Sequence, residues 1–367
     1  MISLYATLSL CLTLAAPGLA ATVQASVEQL AAQYALTTST SLPFPSATQS
    51  TTDTQSLMVS NWSLGKGRIQ DGPGNLAFVN DPFPNKPPDV PSSTNITGPV
   101  LAVTYPAGSF SHDTGGSQWY NLWNTTDGST FGTMMVTYEV AFDAGFDWVK
   151  GGKLPGLRGG LNSSGCSGGN EANGKDCFST RLMWRKNGSG EVYAYIPTPN
   201  DLCKEKSITC NSDFGISMAR GSFGFVSGQW NRITLLVRLN DPPNIANGNI
   251  QLYYNDLQAI NQQNLQIRSS SSVSANGFYF SCASPSFTLV LDVEFKPTYR
   301  SFFGGSDESW ATPQTTHTYY RNIQIYGSSA LSNLTGQEVK SSGSRLLPMS
   351  LTGALCFALF SALALII

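Results

Sequence analysis

Residues 177–197 read Cys177-Phe-Ser-Thr-Arg-Leu-Met-Trp-Arg-Lys-Asn-Gly-Ser-Gly-Glu-Val-Tyr-Ala-Tyr-Ile-Pro197. Apolar and polar side chains alternate on both sides of residues 186–190, a pattern that predicts a β-hairpin with that segment as its loop. With this loop three facing pairs are expected: Arg185 with Glu191, Met183 with Tyr193, and Arg181 with Tyr195.

Successive residues of a strand point to opposite sides, so the hairpin has two chemically different faces. One face is apolar and is expected to pack inward: Phe178, Leu182, Trp184, Val192, Ala194 and Ile196. The other is polar and aromatic: Ser179, Arg181, Met183, Arg185, Tyr193 and Tyr195. Since tyrosine and arginine are common on solvated sheet faces, this second face is either a plain surface or a site.

The rest of the chain is punctuated by turn signals every eight to twelve residues, with strand-like runs between them. The clearest runs are residues 76–79, 100–105, 132–142, 232–239, 250–254 and 322–326. This spacing predicts an all-β fold, a β-jelly roll sandwich of two antiparallel sheets. Residues 22–36 add a short N-terminal amphipathic helix with four side chains on one face: Val23, Val27, Leu30 and Tyr34.

Charge is sparse and unevenly distributed along the 367 residues. Only 12% of residues are charged and the formal net charge is −2, which gives no indication of nucleic-acid binding. Between Lys150 and Lys186, however, seven basic residues stand against two acidic ones. This local excess indicates either an anionic ligand or a solvated loop with incidental lysines.

Both ends of the chain are apolar. Residues 1–20 are typical of a signal peptide, and residues 346–367 form a hydrophobic tail that is either a lipid-anchor (GPI) signal or a membrane anchor. A linker, residues 328–345, offers small residues for anchor attachment. Six glycosylation sequons fit the secretory pathway: Asn61, Asn95, Asn124, Asn162, Asn187 and Asn333. We therefore expect a secreted protein tethered to the outer cell surface, with no other membrane contact.

These features divide the chain into segments. After the signal, residues 21–56 combine the short helix with a Thr/Ser-rich stretch that we interpret as a linker or an O-glycosylated segment. Residues 57–327 hold the β-jelly roll. We expect a monomer.

Five cysteines remain once those in the two apolar ends are set aside. In an oxidising compartment Cys166 with Cys177, and Cys203 with Cys210, are close enough in sequence to close two small disulfide loops, which leaves Cys282 unpaired. Metal binding is the alternative, but no histidine or Cys-x-x-Cys motif accompanies them. We predict no metal and no cofactor.

The polar hairpin face suits elimination chemistry on a polymer of uronic acids. Removing the proton at C5 leaves negative charge on the neighbouring carboxylate, which an arginine can bind with two hydrogen bonds. Tyrosines near cations can then act as base and acid. Arg181, Tyr193 and Tyr195 are the candidates, with Lys153 as a second cation and Ser179 as a hydrogen-bond donor. A histidine base, His112 or His317, is a further option, although a lone loop histidine is more often structural.

Several motifs in order resemble polysaccharide lyase family 14, particularly its secreted fungal members. They are Trp148-Val-Lys-Gly-Gly-Lys-Leu-Pro-Gly-Leu-Arg-Gly-Gly, Gly165-Cys-Ser-Gly-Gly-Asn, the hairpin itself, Trp230-Asn-Arg-Ile, Phe302-Phe-Gly-Gly-Ser-Asp and Tyr319-Tyr-Arg-Asn-Ile. The resemblance covers most of residues 22–327.

This resemblance implies a β-jelly roll and a lyase that cleaves alginate or glucuronan by β-elimination. The family's Lys, Ser-x-Arg and Tyr-x-Tyr positions match five residues here: Lys153, Ser179, Arg181, Tyr193 and Tyr195. Which tyrosine is the base stays open. Further candidates for binding the substrate are Arg158, Arg185 and Asp307.

One segment departs from the family pattern. Residues 277–281 are expected to run almost directly into residues 302–307, yet about twenty residues intervene, 282–300. We interpret them as a retained intron, with a genuine extra loop as the alternative.

Two other functions compete with the lyase. A lectin-like carbohydrate-binding protein is one, because jelly rolls often bind sugars without cleaving them. A glycoside hydrolase is the other, using Glu139 with Asp143 or Asp147 as its carboxylate pair.

Overall fold

The computed structural model describes residues 23–91, 97–110, 115–162, 165–168, 172–211, 215–281 and 308–339. Within these ranges the α-helices are α1 (Val27–Gln33) and α2 (Thr51–Asn61). The strands are β1 (Thr38–Ser41), β2 (Leu76–Val79), β3 (Val100–Tyr105), β4 (Gln118–Leu122), β5 (Thr133–Phe142), β6 (Gly151–Gly159), β7 (Phe178–Arg185), β8 (Ser189–Tyr195), β9 (Ile208–Thr209), β10 (Ile216–Gly224), β11 (Trp230–Arg238), β12 (Ile245–Ala246), β13 (Gly248–Tyr254), β14 (Leu257–Leu265), β15 (Ala275–Ser281), β16 (Thr316–Ser328) and β17 (Gln337–Glu338).

Most strands belong to two antiparallel sheets. The first sheet has eight strands in the order β14-β13-β11-β5-β16-β3-β2, and β1 also pairs with β16. The second has seven, in the order β4-β15-β6-β7-β8-β10-β9, while β12 and β17 form a separate two-stranded ribbon. The predicted all-β fold with two antiparallel sheets is confirmed, and each of the six predicted strand runs lies in one of these strands to within one residue.

The two sheets enclose one continuous hydrophobic core. The first sheet contributes alternate residues of β5: Met134, Val136, Tyr138, Val140 and Phe142. The second contributes the apolar hairpin face, all six predicted residues of which are in the core: Phe178, Leu182, Trp184, Val192, Ala194 and Ile196. Because side chains alternate, burying these residues turns the polar hairpin face away from the first sheet.

The hairpin forms as predicted, but its loop is shorter and its register differs. The turn occupies Lys186–Gly188, where Asn187 and Gly188 both adopt left-handed backbone conformations (φ 60° and 75°). The facing pairs are therefore Met183 with Glu191, Arg181 with Tyr193, and Ser179 with Tyr195, and the predicted pairs were wrong by two residues. A shift of two residues preserves the side-chain faces, so the predicted composition of each face stands.

The N-terminal helix is shorter than predicted. It starts at Val27, because Ser26 caps it. The Ser26 hydroxyl accepts a hydrogen bond from the Gln29 backbone N–H, and the Gln29 side-chain oxygen accepts one from the Ser26 backbone N–H. Val27 and Leu30 are buried as expected, whereas Val23 precedes the helix and is 51% exposed.

The Thr/Ser-rich stretch is folded, so its interpretation as a linker was wrong. Its first part is β1, which pairs with β16, and its last part opens α2. Helix α2 buries Met58, and Trp62 just beyond it contacts Trp119 of β4. In the described part of the chain, no helix is long and apolar enough to cross a membrane.

Candidate active site

The surface of the second sheet that faces away from the core, called the outer face below, collects polar and aromatic side chains. Tyr120 of β4 pairs with Tyr279 of β15. Two strands further along, Arg181 of β7 pairs with Tyr193 of β8, which pairs with Ser217 of β10. These five side chains form one row across the sheet.

A bulge in β6 lies between Tyr279 and Arg181. Leu154 pairs with Leu182 and Leu157 with Thr180, which leaves residues 155 and 156 opposite the single residue Arg181. A Cβ atom on Gly156 would lie 1.9 Å from the Thr180 carbonyl oxygen, so only glycine permits this approach of the two strands.

Arg181 lies at the centre of the row. Its side chain is 1% exposed, and its guanidinium carbon lies 4.6 Å from the ring centroid of Tyr279 and 5.5 Å from that of Tyr195. Nη1 donates to Ser281 Oγ at 2.9 Å. Among the described residues, Nε and Nη2 find no hydrogen-bond acceptor. A buried cation with open donors is costly unless an anion occupies the site.

Tyr193 and Tyr195 lie side by side, with ring centroids 5.6 Å apart at an interplanar angle of 86°. The Tyr193 hydroxyl accepts a hydrogen bond from the Gly215 backbone N–H at 3.0 Å. Burial is the main cause, and the neighbouring Tyr195 the second, of a pKa for Tyr193 that is raised above its ordinary value of 10.0. Arg181 and the Gly215 N–H act in the opposite direction and lower this pKa. Tyr193 therefore carries its proton at neutral pH.

Lys153 and Ser179 flank this group. Lys153 pairs with Met183, and its Nζ lies 5.9 Å from the ring centroid of Tyr193. Ser179 donates from Oγ to the Cys166 carbonyl oxygen at 2.6 Å. The structure thus brings all five residues predicted to be catalytic onto one surface.

Comparison with known proteins identifies the chain. A family model of polysaccharide lyase 14 matches residues 93–283, just over half of the 367 residues. The chain belongs to polysaccharide lyase family 14. Among solved structures, it is 33% identical to the PL-14 alginate lyase from Aplysia kurodai, with a TM-score of 0.52, over 63% of this chain and 84% of that one.

A more distant relative shares the fold alone. The alginate lyase Aly36B is 16% identical to this family 14 lyase, with a TM-score of 0.53, over 80% of this chain and 98% of that one. The comparison with curated protein sequences finds no match. Family membership makes this protein a polysaccharide lyase whose substrate is an anionic polysaccharide.

The three residues predicted to bind substrate have different environments in this lyase. Arg158 is buried and donates to Asn276 Oδ1 and to the Asn162 carbonyl oxygen, both at 3.0 Å. Burial lowers the pKa of its guanidinium. Arg185 is partly exposed on the outer face and pairs with Glu191. Asp307 and the suspected insert, residues 282–300, lie outside the described residues.

Two residues next to Arg181 escaped the sequence analysis, although their pattern was readable. In Gly277-Phe-Tyr-Phe-Ser281 the phenylalanines alternate with Tyr279 and Ser281. The phenylalanines enter the core, and the other two residues contact Arg181 on the outer face. Gln118 of β4 supports them, accepting at Oε1 from the Tyr279 hydroxyl at 3.2 Å. Predicting this contact required the sheet order as well as the alternation.

Both predicted disulfides are present. Cys166 bonds to Cys177, and Cys203 bonds to Cys210. The first closes the loop whose carbonyl group holds Ser179, so it supports the outer face directly. Within the described ranges, no group of three His, Cys, Asp or Glu side chains is placed to hold a metal ion.

The carboxylates proposed for a hydrolase lie elsewhere. Glu139 is buried on the far side of the first sheet, where it pairs with Arg321 at 2.7 Å and Arg232 at 3.3 Å. Asp143 accepts hydrogen bonds from His317 and from the Tyr319 hydroxyl. Asp147, the third candidate, accepts from the Val149 backbone N–H at 2.9 Å, so the three carboxylates are committed to separate structural contacts.

Proposed function

We propose that this lyase cleaves a 1,4-linked polyuronate by β-elimination on the outer face, with alginate as the first substrate to test. The observation that carries the proposal is Arg181, a buried guanidinium whose Nε and Nη2 lack acceptors among the described residues. A uronate carboxylate offers two oxygens in the geometry that an arginine binds best. The PL-14 relative from Aplysia kurodai is an alginate lyase, which supports this choice of polymer.

In the proposed reaction, the carboxylate of the sugar to be cleaved pairs with Arg181, which stabilises the charge that develops as C5 loses its proton. The electron pair of the C5–H bond forms the C4=C5 double bond, and the C4–O4 bond breaks. The leaving O4 oxygen then takes up a proton. No water is consumed, and the new chain end is an unsaturated uronate.

We assign the two proton transfers to the neighbouring tyrosines. Burial favours the protonated form of Tyr193, so Tyr193 is assigned the role of the acid that protonates the leaving oxygen. The Tyr195 ring lies closer to the Arg181 guanidinium than the Tyr193 ring does, 5.5 Å against 6.0 Å, so Tyr195 is assigned the role of base. Lys153 adds positive charge beside Tyr193, and Ser179 anchors the adjacent loop.

A substrate panel tests this function. Polymannuronate, polyguluronate and polyglucuronate are incubated separately with the protein, and the ultraviolet absorbance of the C4=C5 bond is followed. Tyr195→Phe and Lys153→Ala are expected to abolish product formation, whereas Tyr326→Phe, a tyrosine on the first sheet, retains it. Binding without unsaturated product would indicate a lectin, and saturated products a hydrolase; full activity in both site variants would refute the site assignment.

The cellular location is a separate proposal. The two disulfides are compatible with a secreted protein. The five sequon asparagines that the structure describes are all exposed: Asn61, Asn124, Asn162, Asn187 and Asn333. We propose that the protein is glycosylated and tethered through its C-terminal segment. Release from cells by a phosphatidylinositol-specific phospholipase would establish the lipid anchor; retention on the membrane would contradict it.

The suspected insert is also open to a direct test. The family match ends at residue 283, within segment 282–300, which is compatible with a retained intron and with a genuine extra loop. We propose the intron. Sequencing the transcript decides the question, because a spliced message that contains these codons excludes the intron.

A further inference from the structure

A second cationic cluster lies on the outer face, on the side of Arg181 toward the hairpin turn. It is organised by Glu191, whose side chain is fully buried. Oε1 of Glu191 accepts from Arg185 Nε at 2.9 Å and Nη2 at 2.5 Å. Oε2 accepts from Arg220 Nε at 2.6 Å and from Ser217 Oγ at 2.6 Å. One carboxylate thus holds two guanidinium groups.

The register places this cluster next to the proposed cleavage site. Glu191 pairs with Met183, two residues along the strands from the pair of Arg181 and Tyr193. Two residues of a strand span about 6.6 Å, so Glu191 lies about that far along the strands from Arg181. Arg185 is four residues from Arg181 on the same strand, which corresponds to about 13 Å. Arg220 reaches the same face from the irregular part of β10, between Met218 and Phe223.

The cluster carries more positive charge than a buried carboxylate needs. One arginine would neutralise Glu191, and the second leaves a net charge of +1. Arg185 and Arg220 also face solvent, with 19% and 48% of their side chains exposed. Glu191 and Ser217 hold Nε and Nη2 of both arginines, which fixes the two guanidinium groups. Nη1 of each arginine makes no hydrogen bond within the described residues and is the donor that can bind an anion.

We propose that Arg185 and Arg220 bind the carboxylate of a second uronate residue in the same polymer chain, on the turn side of the cleaved bond. Glu191 is a positioning residue that holds both guanidinium groups. This inference rests on the proposed function, since it extends the substrate along the outer face from Arg181. It makes the enzyme favour substrates long enough to reach both cationic groups.

The test compares kcat/KM on purified oligouronates of increasing length. For the wild type, kcat/KM is expected to rise at the length that first reaches the second cluster. Arg220→Gln leaves Glu191 paired with Arg185 and Ser217, so the variant should remain folded. The kcat/KM of this variant on long substrates should fall about tenfold, because one charge-assisted contact is absent. Its kcat/KM on the shortest cleaved substrate should not change. Arg220→Lys should restore part of this loss.

Two controls separate the possible results. Arg238→Gln removes a partly exposed arginine from the first sheet and should not alter the length dependence. Glu191→Gln removes the negative charge and leaves an acceptor oxygen for only one of the two arginines. It should reduce the advantage of long substrates while kcat on the shortest one persists. An equal length dependence in wild type and Arg220→Gln, with both folded, would overturn this inference alone. If the wild type forms no unsaturated product from any polyuronate, the proposed function fails first.

Discussion

The guanidinium of Arg181 donates a hydrogen bond to the hydroxyl of Ser281, a residue 100 positions later in the chain. Tyr279, two residues before Ser281, packs against the same guanidinium. Strand β15 therefore fixes the central cation of the hairpin from one side. Within the part of the chain that the structure describes, Nε and Nη2 of Arg181 have no acceptor and can bind an anion.

Arg181→Lys is expected to lower kcat/KM on the preferred polyuronate by about 10²- to 10³-fold, the usual cost of losing one donor to a developing oxyanion. Lysine keeps the charge but cannot make the forked contact with a carboxylate. Arg238→Lys on the first sheet serves as the matched control and should be fully active. Steady-state kinetics on both variants, each shown to be folded by circular dichroism, make the measurement. Wild-type kinetics in Arg181→Lys would disprove the role of a two-hydrogen-bond contact between this guanidinium and the substrate carboxylate.

Glu139→Gln separates a structural carboxylate from a catalytic one. Glu139 pairs with Arg321 and Arg232 in the interior, and these arginines also pair with Asp81 and Asp256, so the substitution should reduce the free energy of unfolding by about 1–3 kcal/mol. The folded fraction should retain its kcat/KM, since Glu139 lies on the opposite sheet from Arg181. The exposed pair of Asp201 and Lys204 provides the control: Asp201→Asn should cost at most about 1 kcal/mol. Loss of activity with unchanged stability would favour a hydrolase instead.

The contrast between these residues shows what the sequence could reveal. Alternation along Phe178–Arg185 and Ser189–Tyr195 predicted both hairpin faces correctly, because the strand period is local. The facing pairs were wrong because the left-handed conformations of Asn187 and Gly188 shorten the loop, and this depends on how the turn closes in three dimensions.

Longer-range contacts were out of reach for the same reason. Glu139 was a candidate catalytic carboxylate only because the arginines that pair with it, on β11 and β16, could not be predicted from the sequence. Ser281 and Tyr279 carried a readable alternation, yet nothing local placed β15 beside β6. Local periodicity identifies a face, whereas the strand order decides which faces share a site.

The Cys166–Cys177 disulfide should support activity as well as stability. Replacing both cysteines by serine frees a loop closed over 11 residues and should cost about 2–4 kcal/mol in the free energy of unfolding. It should also lower kcat, because Ser179 is anchored to the Cys166 carbonyl group. The Cys203–Cys210 disulfide closes a loop over 7 residues that contains the edge strand β9. Replacing both of these cysteines by serine should lower stability but leave kcat unchanged. Equal kcat values in the two variants would argue against the anchoring role.

Asp143 should make stability depend on pH in the acid range. Burial alone would raise its pKa, but hydrogen bonds from His317 and Tyr319 outweigh burial and hold the pKa of Asp143 below its ordinary value of 3.8. Because the folded state favours the carboxylate, this stabilisation is complete above about pH 4 and is lost as the pH falls through the folded-state pKa.

Unfolding titrations of wild type and Asp143→Asn at a series of pH values test this. The variant should be less stable at neutral pH, and the difference should shrink below about pH 4. A difference that stays constant or grows on acidification would contradict the assignment.

Gly156→Ala should damage the site through the backbone alone. The new methyl group would lie 1.9 Å from the Thr180 carbonyl oxygen and 2.7 Å from the Arg181 Cα, so β6 and β7 must separate at the bulge. Overpacking of this kind typically costs about 1–3 kcal/mol, and it moves Arg181, the residue proposed to bind the substrate carboxylate. Gly224→Ala is the matched control: it lies in β10 of the same sheet, and its new Cβ would have no atom within 4 Å. We expect kcat/KM to fall for Gly156→Ala and to stay at the wild-type level for Gly224→Ala, with denaturant unfolding measured in parallel. Wild-type activity and stability in Gly156→Ala would mean that the strands can yield without moving Arg181.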